Sequence, residues 1–360
     1  MAEEEFTPRV AGYDDTNRAF VQGFMARGTM TFPQGQRMLA GILSAKNGNR
    51  VDPQSVTLGQ FESYIGKARA AVASLDFDIR RAKHQARRGE IYWAFINVAD
   101  DPVSRFATVR TPAELSYIKR LLDAMFDDYN TPRMEVMAVD EAQALKKSRP
   151  PAQQRQSLGG QSTQAPSRRV DDEDEEGGGE EGQDTQAGPA TAQTIDKGLK
   201  HSEVLGLLSS LLEQEWLELS EDGFYSLSPR ALMELSEWLM DRYNDPEAEE
   251  KEWQRIKTCG HCKEIVTYGK RCAERDCILR LHDECEEDLF RSRREKKCPF
   301  CQTDWDGKHF VGERAVTARA AFQKGRERRG NGRRSNRSDL ADAVSTQLQV
   351  AEEEEDEMEE

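Results

Sequence analysis

All seven cysteines of this 360-residue chain fall between Cys259 and Cys301, and His282 lies among them. They form four short pairs: Cys259-x2-Cys262, Cys272-x4-Cys277, His282-x2-Cys285 and Cys298-x2-Cys301. Thiolate sulfur and imidazole nitrogen bind zinc well, and a Cys-x2-Cys turn aims two thiolates at one point about 2.3 Å from the metal. The eight donors match what two closed tetrahedral sites require. The acidic N-terminus, Met1–Tyr13, has no apolar core of a secretory leader. Clustered cysteines outside an oxidising compartment are read as metal ligands rather than disulfides.

In a cross-braced module, alternate pairs share a metal. Cys259, Cys262, His282 and Cys285 are then expected to hold one Zn2+, and Cys272, Cys277, Cys298 and Cys301 a second. His261, inside the first knuckle, is set aside because the other pairs complete both tetrahedra. Protein donors fill each shell, leaving no position for an activated water, so the zinc ions are expected to be structural. No cysteine remains as a nucleophile, and no covalent catalytic residue is expected. The 43 residues from Cys259 to Cys301 hold few large apolar side chains. Metal binding should supply most of their folding free energy, on the order of 10 kcal/mol per site. Loss of one ligand is expected to unfold this segment alone.

The order of four Cys, one His and three Cys occurs in two cross-braced families. PHD fingers usually place an aromatic residue two positions before the seventh ligand, where this chain has Lys296. RING domains favour Cys-Pro-x-Cys at the last pair, which here is Cys298-Pro299-Phe300-Cys301. A RING would dock a ubiquitin-conjugating enzyme on apolar residues, for which Ile265, Leu289, Phe290 and Pro299 are the candidates. Two departures stand out. The internal pair, Cys272-x4-Cys277, is longer than the expected Cys-x2-Cys, and Gln302 follows the final ligand where many active RINGs have a cation.

The elements that must position this module are legible upstream. Phe20, Val21, Phe24 and Met25, then Met38, Leu39, Ile42 and Leu43, then the stretch Leu58–Leu75, have helical spacing. Phe77–Lys83 and Glu90–Val98 read as two strands around Arg87-Arg88-Gly89. The order helix, helix, helix, hairpin is that of a winged helix, placed at residues 14–100. It recurs at 108–245. Thr111-Pro112-Ala113-Glu114 is a capping box opening a helix through about Asp128. Val139–Lys147 and Ser202–Gln214 are the next two helices, Trp216–Leu219 and Phe224–Leu227 the hairpin, and Ser228-Pro229 caps a further helix. The expected fold is α+β: tandem winged-helix domains followed by a small zinc-bound, cross-braced RING-like domain at 256–310. Residues 148–194, polar and acidic with almost no large apolar side chain, are expected to be a disordered insertion. Residues 315–360 are expected to form a disordered tail, basic and then acidic.

The formal net charge of −15 is local, because Asp171–Glu181 and Glu352–Glu360 hold eight carboxylates each and the rest is near +1. Overall acidity therefore does not argue against a chromatin setting. No apolar run approaches the roughly 18 residues of a membrane span, so the chain is expected to be soluble.

The segments Arg280–Cys285, Lys297–Cys301 and Asp304-Trp305 resemble the variant RING of the non-SMC element 1 family, in a fungal-like form. The likeness extends to Trp216-Leu217, Phe224–Leu232, Phe95-Ile96-Asn97 and Phe20–Arg27. That family supplies the RING-bearing subunit of the Smc5/6 chromosome-maintenance complex. The resemblance implies two winged helices before the RING, a MAGE-type and a kleisin subunit as partners, a nuclear, chromosomal location and a part in DNA repair. It also implies a RING-type E3 ubiquitin ligase, acting by proximity and weak without its partner. A rival expectation is an architectural subunit whose RING-like module only docks partners. A third is contact with double-stranded DNA through the first hairpin, where Arg80, Arg81, Lys83, Arg87 and Arg88 have no acid between them.

Overall fold

The computed structural model describes residues 12–98, 110–151, 196–249, 252–291, 293 and 295–330. Its first unit begins with α1 (Asp15–Arg27), α2 (Phe32–Asn47) and α3 (Leu58–Val72). The chain specifies these starts chemically. The Asp14 carboxylate accepts from the Thr16 and Asn17 amides, and Thr57 with Gln60 forms a reciprocal cap on α3. The helices bury Phe20, Phe24, Leu39 and Phe61 against Ile79 and Trp93 of a hairpin, β2 (Phe77–Lys83) and β3 (Ile91–Asn97). A short β1 (Thr29–Thr31), not foreseen from the sequence, pairs with β3, placing Met30 opposite Trp93. The sheet order is β1-β3-β2.

The second unit repeats this composition. Thr111 and Glu114 cap α4 (Pro112–Asp123) as expected, but the helix does not run unchanged to Asp128. Ala124–Asp128 widens into a π turn closed by the Tyr129 amide on the Ala124 carbonyl at 3.1 Å, with Met125 and Phe126 fully buried. The expected helix Val139–Lys147 is also corrected. Val139 and Asp140 form a strand, β4, opposite Tyr225 and Phe224, and only Glu141–Lys146 (α5) is helical, capped by Asp140. A β-branched residue with an aromatic cross-strand neighbour favours the extended backbone there. Then come α6 (His201–Glu213), β5 (Leu217–Leu219), β6 (Phe224–Leu227) and α7 (Pro229–Tyr243), with sheet order β4-β6-β5. Helix α7 lies between the units, packing on β2 and β3, and its Glu234 accepts from the Asn97 amide at 3.3 Å.

Of the expected insertion, residues 152–194 lie outside the described residues. Its two ends meet. The Leu199 amide donates to the Ser148 carbonyl at 2.8 Å, and Arg120 bonds the carbonyls of Lys147 and Ser148 together with Asp196.

The cysteine-rich segment adds β7 (Gly269–Arg271), β8 (Arg280–Leu281), α8 (Asp283–Arg291) and β9 (Phe310–Val311), in the order β8-β7-β9. Its interior is not separate. Ile256, Val266, Leu279 and Leu281 belong to one continuous core with Leu235 and Leu239 of α7. The expectation that loss of one ligand unfolds this segment alone is thus opposed by a core shared with the second unit. The tail expectation is corrected too. Beyond β9, α9 (Arg314–Thr317) and α10 (Ala320–Gly330) turn back, and Val316 and Phe322 pack with Met134, Val136 and Phe224. Residues 331–360 lie outside the described residues.

Candidate metal centre

The four short pairs converge into two sets, interleaved along the chain. Cys259, Cys262, His282 and Cys285 bring their donor atoms within 4.8 Å of one another, and Cys272, Cys277, Cys298 and Cys301 do the same. In the second set, Cys272 and Cys301 sulfurs lie 3.4 Å apart and Cys277 and Cys298 sulfurs 3.5 Å apart. In the first, the Cys262 and Cys285 sulfurs lie 3.3 and 3.8 Å from His282 Nδ1. A tetrahedron with bonds of about 2.3 Å has edges of about 3.8 Å, so both donor sets fit a metal of zinc's size. Cys272-x4-Cys277 spans its two extra residues and still closes the set. His261 is exposed and belongs to neither set.

The two Cys-x2-Cys knuckles share one turn. The residue after the second cysteine donates its amide to the carbonyl of the first: Lys263 to Cys259 and Gln302 to Cys298, each at 3.0 Å. Both residues are left-handed, with φ of 69° and 62°. The first helical residues after His282 set Cys285, and the Glu286 amide donates to the His282 carbonyl at 2.8 Å.

His282 Nε2 donates to the Ile265 carbonyl at 3.1 Å, which fixes a proton on that nitrogen and turns Nδ1 towards the sulfurs. Within this set the donors compete for protons. Hydrogen bonds with Cys262 and Cys285 drive the Cys259 thiol far down, while those with Cys259 and Cys262 drive Cys285 far up. Burial opposes charge on His282, but Cys259 and Cys262 outweigh it and lift its pKa to about 10. A divalent cation shared by all four donors removes that competition.

Two further contacts hold the module, and neither had a local sequence signal. Arg280, 1% exposed, donates from Nε and Nη2 to both oxygens of Glu135 at 2.6 and 2.5 Å, and from Nη1 to the Cys277 and Leu279 carbonyls. Lys257 Nζ also reaches Glu135, at 2.5 Å. Desolvation pushes Glu135 towards neutrality, but Arg280 prevails and holds its carboxyl down at about 2. Lys257 is lowered to about 8, chiefly by burial. The second contact is the first hairpin, whose tip reaches the module through Gln85.

Two of the four expected docking residues are buried. Ile265 and Phe290 are 5% and 6% exposed, the Phe290 ring tilted against Trp305 with centroids 5.6 Å apart, while Leu289 and Pro299 are half-buried. The exposed apolar side chains of the module are Phe300 and Ile278. The five basic hairpin residues all face carboxylates of the chain itself. Arg80 pairs with Asp78, Arg81 with Glu62, Lys83 with Glu284 at 2.7 Å, Arg87 with Glu218 and Glu90, and Arg88 with Glu287. Three of those acids lie on α8 or β5, distant in sequence, so the run from Arg80 to Arg88 looks unpaired when read locally.

Comparison with known proteins agrees with this architecture. A family model described as "Nse1 non-SMC component of SMC5-6 complex" matches residues 17–235, and one described as "RING-like domain" matches 259–301. The chain is 21% identical over 299 residues to the non-structural maintenance of chromosomes element 1 homolog of Homo sapiens, covering 83% of this chain and 87% of that protein. Identity to non-structural maintenance of chromosomes element 1 of Schizosaccharomyces pombe is 22% over 306 residues, covering 84% and 97%. A solved chain of an "Nse1-Nse3-Nse4 complex" matches with a TM-score of 0.56 at 15% identity, over 82% of this chain and 99% of that one, a likeness of fold. With its family model spanning 17–235 and a RING-like domain following at 259–301, the chain belongs to the Nse1 family of non-SMC components of the SMC5-6 complex.

Proposed function

We propose that the chain is a RING-type E3 ubiquitin ligase subunit of the Smc5/6 complex, with two structural Zn2+ ions in the donor sets described above. The observation that carries this reading is the interleaving of two closed four-donor sets, with Pro299-Phe300 between the last two ligands and Phe300 56% exposed. Bound zinc supplies rigidity and no open coordination position. The chain's own surface then orients a charged ubiquitin-conjugating enzyme towards a substrate lysine, which is catalysis by proximity. The two upstream units are proposed as winged helices that hold a MAGE-type and a kleisin subunit. Support comes from the solved chain similar to this one, which belongs to an Nse1-Nse3-Nse4 complex. Action at nuclear chromosomes in DNA repair follows from the same family reading. Multi-turnover ubiquitination by the purified protein should be weak alone and rise with the MAGE-type partner. Absence of chains in both, with two zinc ions retained, overturns the ligase assignment.

Burial of Ile265 and Phe290 and the presence of Gln302 after the last ligand favour a second reading, an architectural subunit. Phe300→Asp separates the two. A ligase loses transfer while the complex survives, whereas a docking module loses its partner. For DNA contact the hairpin would have to give up its internal carboxylates. Conversion of its five basic residues to Glu is expected to leave duplex affinity unchanged.

A further inference from the structure

At the tip of the first hairpin, Gln85 bonds the backbone of the cysteine-rich segment. Gln85 Nε2 donates to the Ile265 carbonyl at 2.9 Å, and its Oε1 accepts from the amides of Thr267 and Tyr268 at 2.9 and 3.0 Å and from the Thr267 hydroxyl. The Ile265 carbonyl is the acceptor that also takes the proton of His282 Nε2. A carbonyl oxygen has two lone pairs, and here both are committed, one to the ligand histidine and one to a residue almost two hundred positions upstream. From the other side, the Val266 amide donates to the Lys257 carbonyl at 3.0 Å and the Cys259 amide to that of Glu264 at 2.7 Å. The segment carrying Ile265 is thus gripped between the knuckle and the hairpin. The hairpin is held over it by Lys83 on Glu284 and by the Gly89 amide on the same carboxylate, each at 2.7 Å.

We propose that Gln85 is a positioning residue for the first metal site. By fixing the Ile265 carbonyl it fixes the tautomer and ring angle of His282, so the hold on this metal depends on the N-terminal unit. Among the described residues, no hydrogen bond of this kind joins the N-terminal unit to the second site. Its thiolates rest on contacts within the segment, such as Cys301 with Thr303. The chemistry is that of partners bonded behind a ligand histidine, whose loss commonly weakens metal retention about 10–100-fold. A partner that engages the first hairpin would be sensed at the first site and not at the second.

The inference rests on the zinc reading, so metal content of the wild-type full-length protein is measured first, and fewer than two equivalents would overturn that reading instead. The test then uses cadmium-loaded full chain, in which the histidine-containing first site and the all-cysteine second site give separate 113Cd resonances. Gln85→Glu keeps the acceptor for Thr267 and Tyr268 but replaces the donor to Ile265 with a carboxylate oxygen. It should shift the first-site resonance, leave the second-site resonance in place, and speed metal loss from the first site to a chelator about 10–100-fold. Gln85→Ala should do the same. Lys83→Ala with Arg88→Ala, which removes ion pairs but keeps Gln85, should change neither resonance. Unaltered first-site shift and release in both Gln85 variants, equal changes at both sites, or an equal effect from the ion-pair variant each overturns the proposal.

Discussion

Glu135 shows how much can rest on one side chain with no local signature. A buried carboxylate is tolerable only when paired, and Glu135 receives both forks of Arg280 plus Lys257. Breaking such a pair from one side leaves an uncompensated charge. Arg280→Met should therefore cost about 3–5 kcal/mol in urea unfolding, while combining it with Glu135→Leu and Lys257→Met, which leaves no buried charge of the cluster, should restore much of the loss. A triple variant as unstable as Arg280→Met alone would refute this account. Lys257 is different, because its ammonium is held against a burial penalty that lowers it to about 8. Lys257→Met should change stability by no more than about 1 kcal/mol, since Arg280 remains. The pH dependence follows in sign. Glu135 titrates at about 2 folded against 4.5 ordinarily, so its contribution, about 3 kcal/mol, is complete above about pH 4.5 and drains away as pH falls towards 2. Comparing wild type with Glu135→Gln cancels acid effects on the metal ligands, and the stability gap between them should narrow over that window. For Lys257 the charged form is the costly one, so its penalty fades as pH rises from about 8 through 10.5.

At the scale of elements, the closure of the insertion turns on a glycine. Gly198 has φ of 75°, and a Cβ there would lie 2.5 Å from the Ser148 carbonyl oxygen, where the two ends of the segment meet. Gly198→Ala should destabilise the second unit by about 1–3 kcal/mol from backbone strain, with the clash added. Gly206, on the exposed side of α6, has open space around its Cβ position. Gly206→Ala should therefore raise stability by up to about 1 kcal/mol. Thermal unfolding of the two variants should move in opposite directions, and a shared direction would contradict this view of the joint. Elements of this kind were legible where their cause is local. Thr111 with Glu114 and Ser228 before Pro229 announce helices whose caps the structure contains. The ligand spacing likewise carried its own geometry, and the two sets gather as their interleaving implied. What the sequence hid is long-range. β1 and β4 are two or three residues long, too short for periodicity, and exist because β3 and β6 offer an edge. Gln85, Glu135 and the acids opposite the basic hairpin are ordinary polar residues until the chain brings them to the module.

At the scale of the whole molecule, the cysteine-rich segment is a keystone rather than an appendage. Length and composition alone imply that 43 residues fold on their metal and unfold alone. The structure contains no such boundary, since Ile256, Val266 and Leu281 lie in one core with Leu235, Leu239 and Val204 of the second unit. The Glu135–Arg280 pair crosses the same seam. The segment after β9 crosses it again, with Val316 and Phe322 against Phe224. By contrast the first unit has its own core around Phe20, Phe61 and Trp93, and among the described residues its hairpin supplies the hydrogen bonds and ion pairs to the module. Metal supplies on the order of 10 kcal/mol per structural site, comparable to the whole stability of a domain. Its removal from the full chain, by chelation or by Cys298→Ser, should therefore loosen the second unit together with the module and spare the first. Hydrogen exchange reads this directly. Backbone amides of α6, such as Leu208 and Leu211, should lose protection along with those of β8, while Ala94 and Ile96 in β3 stay protected. Full protection of α6 in metal-free protein would mean that the second unit stands without the module, and that the shared core is contact without cooperativity.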